Sequence, residues 1–230
     1  MALLAGKPHI QIILSLAGRT KNPVLPQVNC RVGGFGGAYG LADYIKEQNI
    51  GALVCATHPF AQKMPFNAQE AAKIAGVPLL YLLRPQWEKT AQDMWIEVAS
   101  HRQASKALGI APKRIFLSVG KLELEEYINS SQHYYVIRSI DEITGKPLKN
   151  AFYITSRPPF NLDNEYKLLH DHKIDYLVSK NSGGAATSAK LAACSKLKIP
   201  VIMISRPRRP AGLHVQSAQE AMDWVYKNVV

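Results

Sequence analysis

Short apolar runs punctuate the chain at 10–16, 51–56, 79–83, 115–119, 134–137, 176–178 and 201–204. They are rich in Leu, Ile and Val and do not alternate with polar positions, the pattern expected of strands covered on both faces. Segments with helical spacing separate many of them, at 39–48, 67–75, 122–129, 162–172, 185–197 and 218–225. In 162–172, Leu168 and Leu169 fall three to four residues from Glu165 and His172, as on an amphipathic helix. Strands alternating with helices predict an α/β fold with mainly parallel sheets.

One arrangement occurs twice. An apolar strand at 51–56 leads through Thr57-His58-Pro59-Phe60 into an alanine-rich stretch and a second strand ending at Arg84-Pro85. A strand at 176–178 leads through Ser179-Lys180-Asn181-Ser182-Gly183-Gly184 into another alanine-rich stretch and a strand ending at Arg206-Pro207. Each is a βαβ unit, whose strands lie parallel because the helix crosses over between them. Ligands of such sheets sit beyond the carboxyl ends of the strands, where these loops lie.

The 230 residues, 47% of them hydrophobic, suffice for one large or two small domains. The stretch from Trp87 to Lys113 reads as a connecting helix and loop, so the expected domains are 1–97 and 98–210, with a helix in 211–230 packing back on the first. No apolar run reaches the roughly 18 residues of a membrane span, and Met1 to Pro8 is too short in its apolar part for a secretory signal. Cys30, Cys55 and Cys194 show no CxxC spacing, and Cys55 and Cys194 read as reduced core thiols. A soluble cytoplasmic protein is the expectation. The segment Ala2-Leu3-Leu4-Ala5-Gly6-Lys7-Pro8 reads as the end of a helix with its glycine cap and proline stop, which predicts a preceding strand and helix that this chain lacks.

A formal net charge of +11 fits a nucleic-acid binder, a binder of acidic ligands or a solvated basic surface. The densest basic run is only Arg206-Pro207-Arg208-Arg209, and no RNP-like motif, zinc-finger spacing or basic zipper is present. Arg19, Arg84, Lys121, Arg138, Lys180 and Arg206 instead fall at or just past the ends of expected strands, a placement that brings scattered charges to shared sheet edges.

Four loops carry candidate chemistry. The first expected strand runs into Ala17-Gly18-Arg19-Thr20-Lys21; an acid here favours NAD and an arginine accommodates the 2′-phosphate of NADP, so NADP is the better match. Arg31-Val32-Gly33-Gly34-Phe35-Gly36-Gly37 opens a helix, and its glycines permit close approach of an anion to free N–H groups. Thr57 and His58 end a strand, with Pro59 holding His58 extended. Lys180, Asn181 and Ser182 precede the Gly183-Gly184 pair that opens another helix, with Lys190 further along it, and together they make an anion cradle. It is not a Walker loop. The sequence shows no metal-ligand cluster.

Taken together these segments resemble the precorrin-6A reductase family of cobalamin biosynthesis. The resemblance rests on Leu16-Ala17-Gly18-Arg19-Thr20, the Arg31 to Gly37 run, Ala56-Thr57-His58-Pro59-Phe60-Ala61, and Arg84-Pro85 with Trp87. It continues through Val119-Gly120 with Glu123-Leu124, Arg138-Ser139-Ile140, and the Ser179 to Gly184 run with Ala186, Thr187 and Lys190. It implies two Rossmann-like domains with cofactor and substrate in the cleft between them. The implied reaction is NADPH-dependent reduction of one double bond of precorrin-6A, or of its cobalt form, a macrocycle rich in carboxylates that a basic site suits.

On that resemblance Arg19, Thr20 and Lys21 meet the 2′-phosphate, while Gly33, Gly34, Gly36, Gly37 and Thr57 line the cofactor site. Lys180, Asn181, Ser182, Gly183 and Gly184 hold substrate carboxylates or the cofactor's phosphate, Lys190 and Arg206 join them on the substrate side, and His58 and Lys180 are the candidates for proton delivery. Two departures stand out. Similar sequences begin with a strand and a Gly-Gly-Thr-x-Glu-like loop that this chain lacks, and Ser156-Arg157-Pro158-Pro159-Phe160 has no glycine before its Pro-Phe. A non-catalytic tetrapyrrole carrier is the alternative reading, and transient contact with neighbouring pathway enzymes is a further expectation; nucleic acid and membrane are not expected partners.

Overall fold

The computed structural model describes residues 10–18, 27–145 and 147–229. It divides into two units, Met1–Pro85 with Pro207–Val230, and Gln86–Arg206.

In the first unit β1 (Ile13–Leu16) pairs in parallel with β2 (Asn29–Val32). A glycine loop leads into α1 (Ala38–Glu47), then β3 (Leu53–Cys55), α2 (Lys63–Ala75) and β4 (Leu79–Leu82), with β3 and β4 parallel. Small residues set how closely the helices pack: Ala68 and Ala71 of α2 are fully buried and cluster with Leu41, Ala42 and Ile45 of α1 and with Tyr81. α2 begins four residues before the expected start because Pro65 sits in its first turn, where a missing N–H costs nothing. It ends at Gly76, whose φ of 70° makes a left-handed cap.

The second unit is a six-stranded, wholly parallel sheet. In chain order it contains β5 (Trp95–Val98), α3 (His101–Ala107), β6 (Arg114–Ser118), a 3-10 turn (Lys121–Tyr127), β7 (Tyr134–Ser139), β8 (Ala151–Thr155), α4 (Leu162–Asp171), β9 (Tyr176–Lys180), α5 (Ala189–Leu197) and β10 (Val201–Ile204). The strand order is β5-β10-β9-β6-β7-β8. The core of one face joins Phe116, Val136, Leu177, Val201 and Met203 to Leu169 of α4 and Leu191, Ala193 and Cys194 of α5. Ile115, Leu117, Val178 and Ile202 point the other way along the same strands and are also fully buried, so the central strands are covered on both faces.

The chain then returns to the first unit with β11 (His214–Val215), parallel to β4, and α6 (Ala218–Val229). Both βαβ units form, β3-α2-β4 and β9-α5-β10.

Several local expectations change. The domain boundary expected after residue 97 lies at Pro85–Gln86, because Trp95–Val98 is a strand hydrogen-bonded to β10. Residues 207–210, expected with the second domain, belong to the first unit. The helix expected at 122–129 is a 3-10 turn: Leu124 and Tyr127, both buried, are three residues apart and share one face at three residues per turn. The helix expected at 185–197 is split into a 3-10 turn and α5. Met1 to Pro8, read as a helix end, lies outside the described residues, and among those described no helix is long and apolar enough to cross a membrane.

Candidate functional site

In the first unit the ladder of β1 and β2 closes with Gly33 N donating to Leu16 O at 2.8 Å. Gly33, Gly36 and Gly37 then take φ values of 127°, 78° and 112°, which a side chain would resist. Arg31 shapes this loop from β2. Its guanidinium stands 3.9 Å over the Phe35 ring and donates to the carbonyls of Gly33 (2.8 Å) and Gly34 (2.7 Å). Gly37 precedes α1 with no side-chain cap. A Cβ built at Gly33, Gly34, Gly36 or Gly37 meets nothing within 4 Å. Gly34 is the informative one: it has neither a left-handed φ nor a close neighbour, so no contact among the described residues requires a glycine there. Gly40 differs, since a Cβ there would lie 1.8 Å from Phe35 O; the sequence reading missed it, though an isolated glycine inside a helix signals close backbone approach.

The loop after β3 is organised by its own backbone. Phe60 N donates to His58 Nδ1 at 3.2 Å and Ala61 N to His58 O at 2.8 Å. With Nδ1 accepting, the proton of the neutral ring resides on Nε2. Thr57 Oγ1 lies 3.6 Å from Cys55 Sγ. Arg19, Thr20 and Lys21 lie outside the described residues.

In the second unit all carboxyl ends of the sheet share one edge. Lys180, the last residue of β9, places Nζ 2.7 Å from Glu123 Oε1, at the end of neighbouring β6. Glu123 folds back over Gly120, where a Cβ would fall 2.3 Å from Oε2. Burial pushes the Glu123 carboxyl up, but the Lys180 hydrogen bond and charge outweigh it and hold it below the usual range. His101 enters from the end of β5, with Nδ1 3.1 Å from Tyr127 OH and a buried, unpartnered Nε2. Burial lowers its pKa to about 4; the Glu123 charge opposes this and the Lys180 charge adds to it.

This has a measurable consequence. Between about pH 6.5 and 4 the unfolded chain takes up a proton that folded His101 refuses, so stability falls as pH drops through that window and is unaffected above it. Allowing for partial exposure, the loss is about 2 kcal/mol. The difference in unfolding free energy between His101→Gln and the parent chain should therefore shift in favour of the variant from pH 7 to 4.

The Lys180 to Gly184 loop is tied down on its carbonyl side. Arg206 donates from Nε to Asn181 O (2.9 Å) and from Nη2 to Ser182 O (3.2 Å), and Trp87 Nε1 donates to Gly184 O at 3.1 Å. Ser182 bonds within the loop, from N to Lys180 O at 2.7 Å and from Oγ to the same oxygen at 3.3 Å. Gly183 and Gly184 follow with φ of 69° and 90°. The amides of Asn181 and Ser182 are bonded to Ile204 O and Lys180 O, so the part of the loop that suits an anion is the amide side of Gly183 and Gly184.

Three sequence-selected residues do other work. Asn181 accepts from Trp87 N at 2.8 Å and donates from Nδ2 to Trp87 O at 3.0 Å, so its amide splices the Trp87 backbone to the sheet. Lys190, 4% exposed, donates to Thr187 O at 3.1 Å and stands 4.9 Å over the Trp87 ring, bracing the turn. Arg138 is not a strand-end cation facing a ligand. It is buried over Phe160 at 3.7 Å and paired through both Nη atoms with Glu165.

The precorrin-6x reductase CbiJ/CobK family model matches residues 1–226. The chain belongs to this family. It is 44% identical over 224 residues to a precorrin-6A reductase of Sinorhizobium sp, covering 96% of this chain and 85% of that one. A solved CobK precorrin-6A reductase, 38% identical, superposes with a TM-score of 0.90 over 95% of this chain and 87% of its own. A cobalt-precorrin-6A reductase of Priestia megaterium is more distant, at 26% identity over 195 residues, 79% of this chain and 75% of that one. CbiJ/CobK membership makes the chain an oxidoreductase of cobalamin biosynthesis with a Rossmann-like fold. Within this member, Glu123 and His101 are the site-edge residues that the loop-by-loop reading did not select for a role.

Proposed function

We propose that the protein reduces one double bond of the precorrin-6A macrocycle with NADPH, giving precorrin-6B. The observation that carries the cofactor reading is the glycine loop of the first unit. Gly34 has space where a Cβ would stand, no conformational need to be glycine, and a position just before the uncapped start of α1. A phosphate approaching those amides fits that space. The closer identity to precorrin-6A reductases than to a cobalt-precorrin-6A reductase supports the cobalt-free macrocycle as substrate.

The nicotinamide supplies the hydride, and one proton completes the new CH–CH bond. The chain's own residues then have three tasks. Gly33, Gly34, Gly36 and Gly37, with Thr57, receive the nucleotide, and Arg19, Thr20 and Lys21 select its 2′-phosphate. Gly183 and Gly184 present backbone amides to substrate carboxylates, on a loop whose shape Arg206, Trp87 and the Ser182 bonds to Lys180 O maintain. Lys180 delivers that one proton, and His58 is the alternative donor.

Incubating the protein with precorrin-6A should give NADPH oxidation in step with the change in macrocycle absorbance. Tight macrocycle binding with no NADPH consumption would instead make it a carrier. Arg19→Ala is expected to weaken NADPH binding about tenfold with little change for NADH, the loss of one charge-assisted hydrogen bond. Gly34→Ala should weaken nucleotide binding about tenfold while the melting temperature of the unliganded protein stays within a degree or two. A drop in melting temperature with unaltered binding would move Gly34 from the site to the scaffold.

A further inference from the structure

The segment following Arg206 is laced to the first unit as a strap. Gln69 Nε2 donates to Ala211 O at 2.7 Å and Tyr81 N to Leu213 O at 3.0 Å. Gly212 lies so close to the Tyr81 ring that a Cβ would come within 2.9 Å of it. From this strap Arg209 turns inward and donates from Nη1 to Ala61 O at 3.3 Å, at the close of the loop that carries Thr57 and His58. Its Nε and Nη2 are shielded from solvent and, among the described residues, meet no acceptor.

The contrast with the other arginines is informative. Arg31 spends its donors on the carbonyls of Gly33 and Gly34, Arg206 on those of Asn181 and Ser182, and Arg138 on Glu165. Arg209 alone among them holds shielded donors unmatched. A guanidinium carries its charge permanently, and buried N–H groups without acceptors are costly, so such a pair calls for a partner. Tyr81 does not supply it: its hydroxyl donates to Pro65 O at 3.1 Å and makes no hydrogen bond with Arg209. Nε–H and Nη2–H are the parallel pair of the guanidinium, which matches two oxygens of one carboxylate or phosphate.

We propose that Arg209 is an anion-binding residue of the first unit, taking paired oxygens of a ligand carboxylate or phosphate beside loop 57–61. The ligand assignment rests on the reductase reading: a side-arm carboxylate of the macrocycle, or a phosphate of the nucleotide. Both nitrogens are shielded, so the anion enters as the strap or the loop yields, and the bound ligand then tethers residue 209 to loop 57–61.

The test compares Arg209→Lys, which keeps the charge but loses the fork, and Arg209→Gln with the parent chain. Dissociation constants for NADPH, NADH and precorrin-6A are measured separately, with the melting temperature of each unliganded protein. Weakening of at least tenfold is expected for one ligand class in both variants. Loss for NADPH and NADH alike assigns the pyrophosphate, loss for NADPH alone the 2′-phosphate, and loss for precorrin-6A a carboxylate. All three constants within twofold of the parent in the folded Lys variant overturn the proposal. If the parent chain binds none of the three, the reductase reading has failed independently. Pyrophosphate and citrate then serve as probes: a rise in melting temperature that Arg209→Gln abolishes upholds the anion site, and an equal rise in both proteins, or none in either, overturns it.

Discussion

Glu165→Leu is expected to lower the unfolding free energy of residues 86–206 by about 3–5 kcal/mol, the cost of removing one partner of a buried ion pair. Arg138 and Glu165 have side-chain exposures of 6% and 3% and are joined at both ends of the guanidinium, with Nη2–Oε2 at 2.9 Å. The guanidinium is also stacked on Phe160 at 3.7 Å and lies 5.0 Å from the Phe116 ring. Removing the carboxylate leaves a charge in an aromatic slot that water does not reach. Replacing both partners with apolar residues of similar volume, Arg138→Met with Glu165→Leu, should recover most of the loss, because the desolvation penalty of both charges disappears with them. Urea unfolding followed by the fluorescence of Trp87 and Trp95 measures both proteins. A single variant within 1 kcal/mol of the parent would mean that water reaches Arg138 in solution.

That pair also marks the limit of what the chain reveals before it is folded. Arg138 sits where a strand ends, and in sequence it looks like Lys180, which sits at the end of β9. Which way each side chain faces depends on α4, whose first turn, capped by Asn161, turns Glu165 inward 27 residues away. The pairing of Lys180 with Glu123 spans 57 residues and requires β6 and β9 to be neighbours, which no local pattern encodes. By contrast β6, β9 and β10 were legible because burial on both faces leaves a continuous apolar run. β5 and β8, at the two edges of the sheet, were not: Ile96, Glu97 and Phe152 are exposed, and polar and apolar residues mix along these strands. β2 was hidden for a similar reason, since Asn29-Cys30-Arg31-Val32 is mostly exposed and contributes Arg31 to the glycine loop rather than a side chain to the core. The glycine loops themselves were readable from composition. Their division of labour was not, because Arg206 and Trp87 reach the second loop from other segments of the fold.

The second large effect is expected at Lys180, which the sequence reading placed in two roles, proton donor and carboxylate anchor. Lys180→Met should lower kcat for precorrin-6A reduction by about 10²–10⁴, the usual worth of a positioned general acid. Lys180→Arg separates the roles. A guanidinium at this position still attracts a carboxylate but does not surrender a proton, so an anchoring lysine predicts recovered KM and kcat, and a proton donor predicts recovered KM with kcat still depressed. Glu123 sharpens the comparison, because its carboxylate holds Nζ at 2.7 Å and is itself seated by the absence of a side chain at Gly120. Gly120→Ala forces that carboxylate to move, since the new methyl group would lie 2.3 Å from Oε2. If Lys180 works only when aimed, Gly120→Ala and Glu123→Gln should each lower kcat while the affinity for NADPH, proposed to bind at the glycine loop, is unaltered. Glu123→Gln should then retain more activity than Lys180→Met, because the amide oxygen still accepts from Nζ. Full activity in Lys180→Met would remove the residue from the chemistry and leave His58 as the proton donor, testable in turn by His58→Asn.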